Sequence, residues 1–283
     1  MLDCIIQCCS YNRGESFRKE FARLGEVRSL LAENVRVMAL TATAKISSRR
    51  AICRVLGMSR PVIVSESPNK PNIKYSVHLK SCSIEEAFAP LVEEVEQKRV
   101  NTDKTIIFCR SYENITRIYR LFKSRLGKNK TEPPGLPDLA YFRLVDMFTA
   151  CTHDDVKNSI IQSFPNQSSH LRIIIASIAF GMGLDCPNIR RIIHWAPPND
   201  VESYLQETGR AGRDGNTASA VLYYSNLDTC REHITQEIRD YCGLKTDCRR
   251  AFLLKDFDGT ACKVVGCSCC DICTLSCKCS RCS

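Results

Sequence analysis

The sequence predicts an α/β fold in which a mostly parallel sheet carries helices on both faces. Two segments, KTIIFC (104–109) and LRIIIAS (171–177), are almost continuously apolar, which is typical of strands buried on both faces. Strand-like segments alternate with amphipathic helical patterns over most of the chain. This alternation is the pattern of strand–helix–strand units, whose successive strands run parallel.

The individual elements follow from hydrophobic periodicity along the chain. The predicted helices cover 15–31, 44–57, 84–99, 111–126, 153–164, 200–209, 226–242 and 247–257. The predicted strands cover 35–40, 61–65, 73–79, 104–109, 143–148, 171–177, 189–195 and 218–224. Pro90 should start, kink or split the helix in which it stands. The proline-rich segment 127–138 is expected to be an exposed loop.

The composition is that of an ordinary globular protein. The chain has 283 residues, of which 44% are hydrophobic and 25% are charged. Its formal net charge of +9 is compatible with a polyanionic partner. No apolar run approaches the roughly 20 residues that span a bilayer. The first residues lack the basic and long apolar regions of a signal peptide, so we expect neither a membrane span nor secretion.

The cysteine content is unusual, because ten of the 19 cysteines lie between Cys242 and Cys282. Without an export signal, a metal site in a reduced protein is favoured over a framework of disulfides. A CxxC turn brings two thiolates to one metal ion, and two distant cysteines can complete a tetrahedral zinc site. The predicted ligands are Cys248, Cys262, Cys270 and Cys273.

Other cysteines leave alternatives open. Cys267 and Cys269 are rival ligands, because Cys267 and Cys270 also have CxxC spacing. The three cysteines of the tail are expected to be free thiols, with a second metal site as the alternative: Cys277, Cys279 and Cys282.

A second feature is the glycine-rich segment QETGRAGRDG (206–215), which holds Arg210 and Arg213 three positions apart. Glycines permit tight turns and a close approach to a partner. Guanidinium groups recognise phosphate through paired hydrogen bonds. Taken alone, the same pattern also fits a glycine loop with solvated arginines.

The neighbouring segments resemble the motifs of superfamily 2 helicases, and among them those of the RecQ family. AFGMGLDCPN (179–188) and QETGRAGRDG resemble motifs V and VI, MALTATA (38–44) resembles motif III, and the segment 104–122 resembles motif IV. ESPNKPNIKYSV (66–77) is similar to the stretch that joins the two motor lobes, and 14–31 is similar to the segment after the DExH box. The resemblance covers roughly residues 14–275.

The resemblance implies a RecA-like helicase C-terminal lobe. It would comprise residues 66–225, preceded by the end of the first RecA-like lobe (1–65) and followed by a small helical zinc-binding subdomain with a cysteine-rich tail (226–283). The implied activity is ATP-dependent unwinding of DNA in the 3′-to-5′ direction, in DNA repair and recombination. The implied cofactors are ATP, magnesium and a structural zinc ion. The implied partner is single-stranded or forked DNA, and the implied location is the nucleus.

The resemblance also assigns roles to residues. Arg213 would be the arginine finger that reaches the γ-phosphate of ATP, and Arg210 a second arginine on the phosphate side. Gln206 would link this loop to neighbouring motifs. Thr41 and Thr43 would couple the nucleotide state to lobe movement.

Further residues are placed around the nucleotide and the nucleic acid. Gly183 and Asp185 would serve the nucleotide side, where Asp185 supports its loop and the backbone of Gly183 is also available to nucleic-acid phosphates. Arg110, Ser111 and Ser177 would contact nucleic acid at strand ends. A serine at a strand end can instead serve only as a helix cap.

Two motifs of a complete helicase motor are absent from this sequence, which contains no GxxxxGK[ST] phosphate loop and no DExH box. We therefore expect the chain to lack most of the first motor lobe and to hydrolyse no ATP by itself. An alternative is a non-catalytic module that binds DNA or a partner. A third reading, prompted by the clustered cysteines, is a metal-buffering protein.

Overall fold

The computed structural model describes residues 3–7, 24–30, 35–41, 43–80, 83–177, 185–257, 264 and 266–280. The strands are β1 (Asp3–Gln7), β2 (Arg36–Leu40), β3 (Ile73–Leu79), β4 (Thr105–Phe108), β5 (Val145–Phe148), β6 (Ile173–Ala176), β7 (Arg191–His194) and β8 (Ala218–Tyr224). The helices are α1 (Leu24–Leu30), α2 (Ile46–Val55), α3 (Ile84–Lys98), α4 (Tyr112–Leu126), α5 (Asp154–Ser163), α6 (Val201–Thr208), α7 (Asn226–Thr229), α8 (Gln236–Gly243), α9 (Arg249–Leu254) and α10 (Asp271–Leu275).

Six strands form the central sheet in the order β3-β8-β7-β4-β6-β5. Every neighbouring pair in this sheet is parallel. Strand β4 is central, and its Ile106 lies between Ile174 of β6 and Ile192 of β7. All three isoleucines are fully buried, as the continuous apolar runs in the sequence predict.

Helices cover both faces of the sheet, because alternate strand residues point to opposite sides. Ile106 and Phe108 join the core that packs under α5, α6, α8 and α9. Ile107 of the same strand belongs to the opposite core, under α3 and α4. The predicted fold class, a parallel sheet between two helical layers, is confirmed.

The N-terminal strands form a separate two-stranded parallel sheet, β1-β2, which packs against α2. A small cluster around Ile52 and Leu56 joins them. The segment before α2 is fixed to the rest of the molecule by Glu202 of α6, whose carboxylate accepts hydrogen bonds from the Lys45 amide at 3.0 Å and from Ser48 Oγ at 2.7 Å.

Two element predictions are corrected by the structure. The apolar stretch 61–65 is not a strand, and the side chains of Val62 and Val64 are more than nine-tenths exposed. It has strand-like composition but no neighbouring strand to pair with in the described part of the chain. The helical pattern 226–242 is split into α7 and α8, which have separate N-caps at Ser225 and Thr235.

Of the helix predicted over 15–31, residues 24–30 are helical and the rest lie outside the described residues; the other boundaries agree with the predicted ones to within a few residues. Pro90 lies inside α3, and the helix continues across it. Proline has no N–H to donate to the carbonyl one turn earlier, but Pro90 is exposed, so water can bond to that carbonyl. The segment 127–138 is largely exposed, as expected. None of the helices that the structure describes has the length and hydropathy needed to cross a bilayer.

Candidate functional site: an arginine loop and a cysteine cluster

The arginine loop, residues 209–217, connects α6 to β8. Helix α6 starts with a cap in which Asp200 Oδ1 accepts a hydrogen bond from the Ser203 amide at 2.7 Å. The helix returns from the carboxyl end of β7 to the amino end of β8, its parallel neighbour. The loop that follows it therefore lies at the amino edge of the sheet, beside the segment that enters β3.

Glycine is required at Gly212 by both conformation and space. Its φ is +56°, and its amide donates to the Ile189 carbonyl at 2.9 Å. A Cβ at this position would lie 2.3 Å from Asn72 Nδ2. The Asn72 amide group in turn donates to the carbonyl oxygens of Gly212 and Asn216, at 2.8 and 2.7 Å. The loop that carries both arginines is thus tied to the start of β3.

Arg213 projects from this loop toward Asp185 of the preceding motif. Its Nη1 donates to Asp185 Oδ1 at 2.6 Å. The Asp185 side chain is 83% exposed and that of Arg213 is 35% exposed. An ion pair this open to water contributes little stability, so its arginine can exchange to another anion at small cost.

Two further cations lie close to Arg213. Arg210 is buried, and burial lowers its pKa, with a second contribution from the charge of Arg213. Lys70 donates from Nζ to the Gly209 carbonyl at 2.6 Å, and its pKa is lowered by burial and then by Arg213. The charge of Arg213 therefore acts on both Arg210 and Lys70 at one end of α6, Glu207 offsets part of it at Arg210, and a bound anion would relieve the repulsion that is left.

Lys70 is a member of this group that the sequence motifs did not identify. It stands in the segment 66–77, between two prolines, where a single lysine has no distinguishing pattern.

The remaining residues predicted for the nucleotide side are less closely grouped. Gln206 is half-buried on α6, one turn before Arg210. Thr41 Oγ1 donates to the Thr43 carbonyl at 3.3 Å. The contact of Lys45 with Glu202 holds this threonine segment near the start of α6, whereas the arginine loop follows its end, about 12 Å further along the helix. Gly183 lies outside the described residues.

The residues predicted to contact nucleic acid lie at the opposite, carboxyl edge of the sheet. Arg110 and Ser111 follow β4, and Ser177 follows its neighbour β6. Ser111 caps α4, since its Oγ accepts a hydrogen bond from the Asn114 amide at 3.2 Å.

Arg110 contributes positive charge at this edge. Its Nη1 donates to the Pro197 carbonyl at 3.0 Å. Burial lowers the pKa of Arg110, and the charge of Arg231 lowers it further. The pKa of His233 is lowered by burial and then by the charges of the same two arginines, so this histidine is neutral near pH 7. Asp228 and Glu207 offset part of the positive charge at Arg110.

The cysteine cluster consists of Cys248, which precedes α9, and Cys269, Cys270 and Cys273 around the start of α10. Their four Sγ atoms lie within 4.8 Å of one another. The Cys248–Cys269 Sγ separation is 3.5 Å, much longer than the about 2.05 Å of a disulfide. It is close to the about 3.8 Å between thiolates that surround a zinc ion tetrahedrally at about 2.3 Å.

This set agrees with three of the four predicted ligands. The fourth, Cys262, lies in a part of the chain that the structure does not describe. Cys269, one of the two rivals, stands with the other three. The other rival, Cys267, belongs to a different group with Cys277 and Cys279, so the Cys267–Cys270 pairing is not formed.

The protonation of these thiols fits a site for a cation. Burial raises the pKa of Cys269 to about 12, and the neighbouring Cys248 adds to this. Burial also acts to raise the pKa of Cys248, but hydrogen bonds from the Ala251 amide and from neighbouring thiols outweigh it and hold the pKa below the usual value. Burial and neighbouring thiols thus favour the neutral form of Cys269, and four cysteines this close could all be thiolates only around a positive ion, for which the donor set suits zinc.

The cluster is attached to the outer edge of β3. The Tyr75 amide donates to the Cys269 carbonyl at 3.3 Å, and the Val77 amide donates to Asp271 Oδ2 at 3.0 Å. Asp271 Oδ1 also accepts a hydrogen bond from Arg249 Nε at 2.6 Å. The edge of the sheet is thereby covered by the residues that carry the thiols.

Arg250 connects the cysteine cluster with the arginine loop. Its side chain is fully buried, and Nη1 donates at 2.8 Å both to Asn69 Oδ1 and to the Lys70 carbonyl. Nη2 donates to the Ile73 carbonyl. Residues 69–73 are therefore held by Arg250 on one side and bonded to the arginine loop through Lys70 and Asn72 on the other.

His194 and Trp195, which end β7, are core residues. His194 Nε2 lies 2.8 Å from Glu207 Oε2, and the imidazole stacks on Phe108. Trp195 packs against Phe88 and Tyr223.

Comparison with known proteins agrees with this architecture. Residues 86–215 match the family described as the helicase conserved C-terminal domain. The chain is 32% identical to the RecQ-like DNA helicase BLM of Xenopus laevis over 268 residues, which are 88% of this chain and 18% of that protein. It is 30% identical to the ATP-dependent DNA helicase RecQ of Pasteurella multocida, over 94% of this chain and 40% of that protein.

Solved structures support the fold. Saccharomyces cerevisiae Dbp5 bound to RNA and ADP BeF3 matches with a TM-score of 0.59 at 15% identity, over 85% of this chain and 57% of that one. The Mycobacterium smegmatis helicase Lhr bound to ssDNA and AMP-PNP matches with a TM-score of 0.56 at 19% identity, over 78% of this chain and 28% of that one. The chain spans less than half the length of the two relatives, and within that span it matches the helicase conserved C-terminal domain, is similar to RecQ-family DNA helicases and has the fold of a RecA-like lobe.

Proposed function

We propose that this chain supplies the second-lobe half of an ATP site and a DNA-contacting surface to a RecQ-like, ATP-dependent DNA helicase that moves 3′ to 5′. The observation that carries the proposal is the convergence of Arg210, Arg213 and Lys70 at one end of α6. A γ-phosphate at this position accepts hydrogen bonds from the arginines, which stabilise the charge that develops during phosphoryl transfer.

The exposed Asp185 forms an ion pair with Arg213. This ion pair is largely solvated and therefore weak. A phosphate with more than one negative charge binds the guanidinium more strongly and can displace Asp185 from it. In this proposal Asp185 positions the arginine, and Lys70 and Arg210 add to the attraction for the anion.

A binding experiment tests the arginine role without requiring catalysis. Pyrophosphate or ATP is titrated into the purified chain at low salt, and binding is followed by calorimetry. R213A should weaken binding at least about tenfold, since a charge-assisted pair contributes about 1.5–3 kcal/mol. R117A, on the exposed surface of α4, is the control and should bind as the wild type does. Equal affinity of R213A and wild type would contradict the role of Arg213.

We propose that this chain alone does not hydrolyse ATP. Its sequence contains no phosphate loop to hold the β- and γ-phosphates and no DExH carboxylates for magnesium. ATP turnover by the purified chain in the presence of single-stranded DNA should not exceed that of R213A prepared in the same way. Turnover that R213A abolishes would refute this inactivity.

A non-catalytic DNA-binding module is the second candidate, favoured by the neighbouring arginines Arg110 and Arg231 at the carboxyl edge. Binding to single-stranded and forked DNA should weaken with salt, because each phosphate contact releases a counterion. R110A/R231A should reduce the slope of log K against log salt by about 1.4 for single strands, at about 0.7 for each contact. R117A/R125A, with two exposed arginines of α4, is the charge-matched control. No measurable binding of the wild type at low salt would remove this function.

Zinc is the proposed metal of the cysteine cluster, held by Cys248, Cys269, Cys270 and Cys273, and it would supply a structural crosslink at the edge of β3. Cys262 stays a competing prediction for Cys269. C262S should keep the metal ion and C269S should lose it, as measured by elemental analysis. The opposite result would restore the original ligand set.

The domain bounds 1–65, 66–225 and 226–283 are part of the same proposal. Limited proteolysis tests them, with preferred cleavage expected at 57–68, where the backbone lacks secondary structure. Roles in DNA repair and recombination and a nuclear location also belong to the proposal, and the related sequences come from both eukaryotes and bacteria.

A further inference from the structure

We propose that Cys267, Cys277 and Cys279 form a second metal site, separate from the first cluster, which takes a thiophilic divalent cation such as Zn²⁺. Their three Sγ atoms lie within 4.8 Å of one another and share no thiol with the first cluster. From the sequence, a second metal site was an alternative only for Cys277, Cys279 and Cys282, and Cys267 was a rival ligand of the first site.

The separation of the sulfur atoms distinguishes a metal site from a disulfide. Cys267 Sγ and Cys279 Sγ are 3.6 Å apart, whereas disulfide sulfurs are about 2.05 Å apart. Thiolates around a tetrahedral zinc ion are about 3.8 Å apart. The second group therefore has nearly the same spacing as the first, in which Cys248 and Cys269 are 3.5 Å apart.

The backbone around these thiols holds them together. Cys267 lies in a short 3-10 turn, Gly266–Ser268, and its carbonyl accepts a hydrogen bond from Thr274 Oγ1 of α10 at 3.3 Å. The Cys277 amide donates to the Thr274 carbonyl at 3.2 Å. The turn before α10 and the residues after it are thus joined through one threonine.

Gly266 makes room for the second site. Its φ is +75°, and a Cβ there would lie only 3.1 Å from Cys277 Sγ. A side chain at this position would press directly on one of the three sulfur atoms, so glycine permits both the turn and the approach of Cys277.

The chemistry of the group fits a soft divalent ion. Three thiolates select zinc and similar thiophilic metals over calcium or magnesium, which prefer oxygen ligands. The three cysteines are half-buried, so an ion can reach them from solvent. The fourth position of a tetrahedral ion is open to a water molecule or to another thiol.

The experiment counts metal ions in the full chain, purified under reducing and anaerobic conditions. Elemental analysis of the wild type should give two zinc ions per chain, and C277S/C279S should give one. The control C151S/C230S removes two exposed cysteines that belong to neither group and should keep two ions. Cobalt substitution adds a spectroscopic measure, since the thiolate-to-cobalt absorption of C277S/C279S should fall to about half that of the wild type.

A measurement on the wild type alone covers the case in which C277S/C279S does not fold. The zinc-loaded protein is treated with N-ethylmaleimide, and labelled cysteines are identified by mass spectrometry before and after chelation. Cys267, Cys277 and Cys279 should be protected until the chelator is added. One zinc ion per wild-type chain with free labelling of these thiols, or a Cys267–Cys279 disulfide under reducing conditions, would overturn the proposal. Because no nucleotide or DNA is involved, either result leaves the proposed helicase function untouched.

Discussion

Replacement of Gly212 by alanine tests how the arginine loop is held against the start of β3. The left-handed φ of +56° costs an alanine about 1–2 kcal/mol. The added Cβ would also displace the Asn72 amide group, which donates two hydrogen bonds to the loop, each contributing about 0.5–1.5 kcal/mol. The expected loss is therefore about 2–5 kcal/mol in the free energy of unfolding.

Gly215 in the same loop provides a matched control. Its φ is +82°, but nothing lies within 4 Å of the position that a Cβ would take. G215A should therefore lose only the conformational part, about 1–2 kcal/mol. Urea unfolding can be followed through the fluorescence of Trp195, the only tryptophan of the chain, which is buried in the core of the central sheet. Equal losses in G212A and G215A would show that the contact with Asn72 does not stabilise the loop.

Three further predictions concern the attachment of the C-terminal elements. R250M should lower the free energy of unfolding by about 3–5 kcal/mol, because it leaves buried carbonyl groups without a donor. R250K should lower it by less, and equal losses of the two variants in urea unfolding would argue against the hydrogen bonds. Burial acts to raise the pKa of Asp228, but its hydrogen bonds with Lys80 and Ser225 outweigh it and hold the pKa below the usual value. The stabilising effect of Asp228 is thus present above about pH 3.9 and is lost as the pH falls through the lower pKa of the folded state. The difference in unfolding free energy between wild type and D228N should therefore shrink below about pH 4 and be unchanged between about pH 6 and 8. Removal of the structural metal by a chelator should speed hydrogen exchange of the Tyr75 and Val77 amides about tenfold or more. The β4 amides should stay protected. Unchanged exchange at Tyr75 and Val77 would contradict the role of the metal in covering β3.

The central sheet could be predicted from sequence because local pattern and environment agree there. The runs around Ile106 and Ile174 are almost continuously apolar and short, which is typical of strands buried on both faces. Residues 61–65 have a similar composition, but a strand also needs a partner, and partners are a property of the fold. The same local signal therefore gives a correct strand in one place and a wrong one in another.

The candidate site was predictable where a motif carries the chemistry. Arg210 and Arg213 stand in a long composite motif, whereas Lys70 joins them only because the chain brings the segment before β3 next to α6. The cysteines illustrate the same limit. Spacing alone left Cys267 and Cys269 as equal rivals, and only the folded turn separates them into different groups.

The covering of β3 has a consequence for synthesis of the protein. This strand is the first of the central sheet to leave the ribosome, yet its pairing partner on one side is β8, the last strand. Its other side is occupied by residues near Cys270, about 200 residues later, which at about 5–20 residues per second takes about 10–40 s to complete. During this interval β3 offers unpaired backbone groups and apolar side chains such as Ile73 and Tyr75 to any neighbouring chain. We therefore expect that a chaperone bound to β3 during synthesis raises the yield of folded protein.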